Sequence, residues 1–231
     1  MSEAENKAGI MFERLWAKGH LKQQVYQNTF ATFRMFKQEI QMLVDNYHVF
    51  LKSRPDQERL IPVEFYDRSE FEAELRFAGD ALIFMMHTNV FEFPRDHVVM
   101  QTPYVREDAD RSYCGVIYIY NFLADSFRYN RMNDSGYLIG RVFVNKDMHY
   151  FIEGKREVGL MYHGFPTAVI NSESVRDMII SSMQYTINFD LLTPPFDHVK
   201  EVSVSAMRVA LDNMQIKTAK RMGFRFQADN D

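Results

Sequence analysis

Asp134 and the run Glu153-Gly154-Lys155 offer two carboxylates and an ammonium group. Two acids can share a divalent cation, and a lysine beside them can neutralise the charge that develops on a phosphate under attack. A second set mixes rings with cations: Phe127-Arg128-Tyr129-Asn130-Arg131, with Arg141, Lys146, Lys155 and Arg156 further along. Rings that stack on bases and guanidiniums that pair with phosphates suit a single strand of nucleic acid. The binding residues on that reading are Arg128, Tyr129, Arg131 and Arg141.

An acid followed by Glu-x-Lys, led in by the apolar Phe151-Ile152, resembles the core of metal-dependent nucleases of the PD-(D/E)xK type. The resemblance implies a Mg²⁺-dependent nuclease in which Asp134 and Glu153 hold the metal and Lys155 faces the phosphate. The same residues also read as two turns. Asn133-Asp134-Ser135-Gly136 is turn composition, and Glu153 to Arg156 lies between two apolar runs where a hairpin would bend. The motif is short, so the turn reading is preferred.

Other chemistry is thinner. Asp108, Asp110 and Ser112 alternate like the start of an EF-hand loop, but Tyr113 stands where glycine is needed and Ile119 where the bidentate glutamate is needed. The seven histidines include no pair four residues apart and no His-Glu-x-x-His. Cys114, the one cysteine, begins an apolar run and reads as a buried thiol. Neither a Gly-x-x-x-x-Gly-Lys loop, nor Gly-x-Gly-x-x-Gly, nor Gly-x-Ser-x-Gly occurs. No cofactor is expected.

Composition narrows the class. Lys+Arg 27 against Asp+Glu 31 leaves a net charge of -4, so no global field draws the chain to nucleic acid or to an anionic membrane. A single cysteine cannot form an internal disulfide. No apolar run approaches the roughly 18 residues of a spanning helix, and Met1 to Lys7 lack the features of a secretory signal. A cytoplasmic address is the expectation. Phe 20 and Tyr 12 supply an aromatic-rich core.

The elements follow from periodicity. Tyr26, Phe33, Ile40 and Tyr47 interleave with Phe36, Leu43 and Phe50, which places them on one stripe of a helix over Leu21 to Leu51. A shorter helix over Lys7 to Ala17 precedes it, with Gly19 as the break. The aromatic stripe suits packing across the chain's own sheet better than a coiled-coil seam. Phe71, Ala73, Leu75 and Phe77 alternate with Glu70, Glu72, Glu74 and Arg76, predicting a strand with one wet face. Val63 and Phe65 mark a strand before it, and the apolar run Ala81 to Met86 a strand covered on both faces. Further strands are expected at Cys114 to Phe122, Tyr137 to Val144, Met148 to Ile152 and Val158 to Tyr162, the last three as a meander. Arg95 to Ser112 is a charged connection. Ser174 with Asp177 reads as a capping box for a helix through Ile187, and a last helix is expected over Ser205 to Met222.

Helices, then strands, then helices indicate an α+β fold in one domain over 1–231. Its parts are a helical region 1–52, a β-rich core 60–165 with an antiparallel sheet of about five to seven strands, and C-terminal helices 172–223 on one face. The function expected is that of a non-enzymatic binding or protein-interaction module, with the nuclease and the single-strand binder as alternatives. The partner is another protein or a second copy, since Phe33, Phe36, Tyr47 and Phe50 offer more apolar area than one small sheet covers. No membrane partner is expected.

Overall fold

The computed structural model describes residues 3–54, 60–132, 134–154, 164–189, 195–201 and 203–205. Its first element is one helix, α1 (Glu3–Leu51). The break expected at Gly19 does not occur. An internal glycine costs about 1 kcal/mol against alanine but keeps its backbone hydrogen bonds, and the helix formers on either side carry the helix through.

Seven strands follow among the described residues: β1 (Glu64–Ser69), β2 (Glu72–Phe77), β3 (Asp80–Met86), β4 (Phe91–Glu92), β5 (Tyr113–Leu123), β6 (Tyr137–Asn145) and β7 (Tyr150–Gly154). They form one antiparallel sheet in the order β1-β2-β3-β5-β6-β7, with β4 pairing β5 beyond the end of β3. Short helices α2 (Pro103–Glu107) and α3 (Ala124–Arg128) interrupt the strands, and α4 (Ser172–Ile187) and α5 (Phe196–Val199) come after them. The class is therefore α+β, as the element order indicated. The strand expected over Val158 to Tyr162 lies outside the described residues, as does the expected last helix beyond Ser205.

One face of the sheet meets α1, and α4 packs beside α1. Phe33, Phe36, Ile40 and Val44 of α1 join Val175, Met178 and Ile179 of α4 and the strand residues Leu75, Leu82, Phe84, Ile117, Ile119 and Val142 in one buried cluster. The rings of Phe36 and Phe84 stand 5.6 Å apart. Each large side chain removed from water here contributes roughly 1.5–3 kcal/mol. The stripe of α1 is thus spent inside the chain: Phe33 and Phe36 are fully buried, Tyr47 packs against the cluster, and Phe50 alone of the four is exposed. That corrects the expectation that these four rings leave a surplus for a partner. Glu39 of α1, buried in this layer, accepts a hydrogen bond from Arg176 of α4 at 2.8 Å and fixes the two helices against each other.

The cap of α4 also differs from expectation. Asn171 accepts from the Ser174 amide at 2.8 Å while its own amide donates to Ser174 Oγ at 3.0 Å, so the box starts three residues earlier than Ser174.

The other face is covered at one end. The connection Arg95 to Ser112 folds into two short 3₁₀ turns and α2, and lays Val99 and Val105 on Cys114, Val116 and Phe143, with Phe93 and Phe165 beside them. Polar groups lock this end to α1. Asn145 donates to the Tyr104 hydroxyl at 2.9 Å and accepts from the amides of Asp147 and His149. Asn28 of α1 donates to the carbonyls of Asn145 and Lys146. Burial pushes the Tyr104 hydroxyl up to about 12.

Candidate functional site

Alternation along β5 sends Gly115, Ile117 and Ile119 towards the helices and Val116, Tyr118, Tyr120 and Phe122 to the opposite face. Val116 is sealed under the Arg95 to Ser112 segment, whereas Tyr118, Tyr120 and Phe122 stay half-exposed. Their rings form a ladder. Tyr118 and Tyr120 are stacked at 5.9 Å, Tyr120 and Phe122 stand 6.5 Å apart, and Phe127 of α3 meets Phe122 edge-on at 5.2 Å. Gly136 lies against the Phe122 ring, where a β-carbon would overlap it.

The neighbouring strands extend this surface. Register sets Ile83 and Met85 of β3 beside Tyr120 and Tyr118, and Arg141 of β6 on the other side of Tyr118. A bulge in β6 between the partners of Ile119 and Tyr120 buries Ile139 and turns Leu138 out to the ladder. At the ladder's upper end Phe91, Pro94, His97, Tyr118, Arg141 and Glu153 line a cleft of about 260 Å³. His97 accepts from the Val99 amide at 3.3 Å through Nδ1 and stacks on Phe93 at 4.6 Å. Cys114, at the floor, is buried, and that burial raises its thiol well above the ordinary range, which keeps it protonated and inert.

Beyond β3 the face turns polar. Glu74 is 1 % exposed and sits between two cations: Arg68 donates to it at 2.6 Å and Arg76 pairs with its other oxygen. Both guanidiniums also lie over the Tyr66 ring, at 4.6 and 4.7 Å. The wet face expected for β2 is therefore wet only at its margin. Long arginine side chains from β1 and β2 cover the glutamate from above, a burial that alternation in one strand does not reveal.

The residues singled out for chemistry fall in separate places. Asp134, ahead of β6, accepts from Ser126 Oγ at 2.7 Å and lies 4.0 Å from Arg131. Glu153 is on β7, one strand over from Arg141, and the two form an ion pair. It therefore belongs to a strand and not to the turn expected over Glu153 to Arg156. Lys155 and Arg156 lie outside the described residues. Arg128 and Arg131 flank the Tyr129 ring at 5.5 Å each, at the α3 end of the ladder. Arg141 stands at its other end, over Phe143 at 5.2 Å. Lys146 belongs elsewhere, bonded to Asp108 at 2.8 Å beside Asp147. Among the described residues no three of His, Cys, Asp or Glu are grouped to hold a metal ion.

The ladder itself is what sequence reasoning missed. Its signal was present in Tyr118-Ile119-Tyr120-Asn121-Phe122, where rings alternate with buried positions. Which face the helices leave open is not written in that run.

This surface can take up flat or apolar groups on its rings and bond polar ones at its arginine–carboxylate pairs. Among the described residues no helix is long and apolar enough to cross a membrane. Comparison with protein-family models, with curated proteins and with solved structures finds no match.

Proposed function

We propose that the protein is a non-enzymatic protein-interaction module and that it presents the ladder face of its sheet. The observation that carries this is the half-exposed series Tyr118, Tyr120 and Phe122 on a central strand, flanked by Met85, Leu138 and Arg141. Tyrosine, phenylalanine, methionine and arginine are the residues over-represented where proteins meet, and a rigid strand holds them with little entropy left to lose.

Charge separates this reading from its alternatives. Arg141 is paired with Glu153, and Arg68 and Arg76 share Glu74, so these cations are already engaged by carboxylates. Single-stranded nucleic acid calls for an excess of positive charge along the rings. The nuclease reading needs Asp134 and Glu153 on one metal, whereas each is engaged by a different arginine. One buried thiol fits a reducing compartment, and a cytoplasmic setting is part of the proposal.

The test compares the wild-type chain with Tyr120→Ala as bait in lysate of the native host. Equal urea midpoints for the two would show that the fold is intact. A partner protein held by the wild type and weakened roughly 30-fold or more by Tyr120→Ala, as losing about 2 kcal/mol at a central ring does, supports the proposal. A partner held equally by both removes the ladder from the interface. Tight, salt-sensitive binding of a fluorescent oligothymidylate would replace the proposal with the single-strand reading.

A further inference from the structure

The first turns of α1 leave the body of the protein. Among the described residues Leu21 is the first buried one, and from Asn6 to His20 every residue except Ala8 is exposed. That is an arm of roughly 22 Å at 1.5 Å per residue. Its base is anchored by the bonds of Gln24 and Asn28 to the β6–β7 turn, and by Lys18, whose ammonium lies 3.5 Å from the centre of the Tyr113 ring.

The arm is not polar all round. Met11, Phe12, Leu15 and Trp16 are 50, 60, 65 and 69 % exposed, close to bare for a helix. Spacings of one, three and four residues put them on one stripe, which continues through the small residues Ala8 and Gly19. Lys7, Glu13 and Arg14 occupy the far side together with Ile10, which is also exposed.

We infer that this arm pairs antiparallel with the arm of a second copy, making the protein a homodimer. The stripe is self-complementary. A twofold axis passing between residues 13 and 14 sets Phe12 of one copy against Leu15 of the other, in both directions. The same axis sets Ala8 against Gly19, so bulk meets bulk and small meets small. A β-carbon built at Gly9 or Gly19 meets nothing within 4 Å inside the chain, which leaves both sites open to an approaching helix.

Area agrees with a second copy of modest affinity. The four exposed side chains would remove roughly 500 Å² from water on each copy, or about 1,000 Å² in all, the lower bound of a specific interface. Dissociation in the micromolar range is expected on that footing. This interface is separate from the ladder face, and either can fail without the other.

Trp16 is the only tryptophan and lies within the proposed interface, so its emission reports directly on pairing. Light scattering and tryptophan emission are followed from about 1 to about 100 µM. The mass should rise from 27.3 kDa towards twice that value, with a blue shift of emission in step. Leu15→Glu, placed where the chain makes no core contact, should hold the mass at 27.3 kDa throughout with an unchanged urea midpoint. A constant 27.3 kDa for the wild type, or a dimer that survives Leu15→Glu, overturns the inference. So does a blue shift that needs anionic phosphatidylserine vesicles and ignores protein concentration, which would assign the stripe to a membrane surface. Orientation is read by oxidation. Ala8→Cys with Gly19→Cys should cross-link the copies and Ala8→Cys alone should not; cross-linking by the single variant would overturn the antiparallel register.

Discussion

Thr29 of α1 lies directly over Gly115 of β5, so closely that a β-carbon at position 115 would overlap the threonine side chain. Thr29 is fully buried, and its hydroxyl donates to the Val25 carbonyl at 2.7 Å within its own helix. Here the helix comes down onto the sheet with no side chain between. Gly115→Ala should therefore cost about 1–3 kcal/mol, read as a lower urea midpoint. Adding Thr29→Ala should restore only part of it, because the Thr29 β-carbon itself stands 2.7 Å from the new methyl position. Full recovery would show that the contact is softer than described.

The β2–β3 turn holds strain of a different kind. Ala78 and Gly79 both have positive φ, 46° and 86°, the pattern of a two-residue turn that suits glycine or asparagine at its first place. Ala78→Gly relieves the steric cost at a price in unfolded-chain entropy, so a net gain of up to about 1 kcal/mol is expected. A lower thermal midpoint would refute it.

Glu72 and Glu74 look alike in the sequence and should behave differently. Glu74→Ala strips a buried partner from Arg68 and Arg76 and should cost about 1–3 kcal/mol. Glu72, half-exposed, should cost within about 0.5 kcal/mol when truncated to alanine. Chemical denaturation of the two variants, side by side, decides it.

Leu82 and Leu43 divide in the same way. Leu82 is wholly buried, and truncation to alanine should cost about 2–5 kcal/mol. Leu43 is half-buried on the wall of an apolar groove and should cost clearly less. Equal losses would mean that the groove is closed.

One ion pair carries a pH signature. The hydrogen bond from Lys146 holds the Asp108 carboxyl below its usual range, and the same bond raises Lys146. A carboxylate lowered in the folded state contributes stability that is complete above its unfolded value, about 3.9, and is lost as pH falls through the folded value. Asp108→Asn keeps the cap on the Asp110 amide, so its cost isolates the charge. The difference in urea midpoint should amount to about 0.2–1 kcal/mol at neutral pH and shrink below about pH 4. A difference that grew on acidification would have the wrong sign.

Local order was legible because it repeats. The stripe Tyr26, Phe33, Ile40 and Tyr47 has the period of a helix, and Ala73, Leu75 and Phe77 the period of a strand, so α1 and β2 follow from spacing alone. The short polar link Asn145 to Asp147 likewise announces the β6–β7 hairpin. Gly19 misled, since a glycine lowers helix propensity without forbidding the helix.

What neighbours decide was not legible. Period two tells that Glu74 and Tyr120 each lie on one side of a strand, but not which side another element covers. Glu74 became buried because arginines from its own strand and the one beside it reach over it; Tyr120 stayed open because α1 lies on the opposite face. Asp134 and Glu153 are engaged by different cations, Asp134 by Arg131 three residues before it and Glu153 by Arg141 across the β6–β7 pairing, and only the second needed strand order. Periodicity is a property of one segment, and the sequence alone determined it for each. Burial, pairing and the open ladder face belong to several segments at once, and only their packing together could decide them.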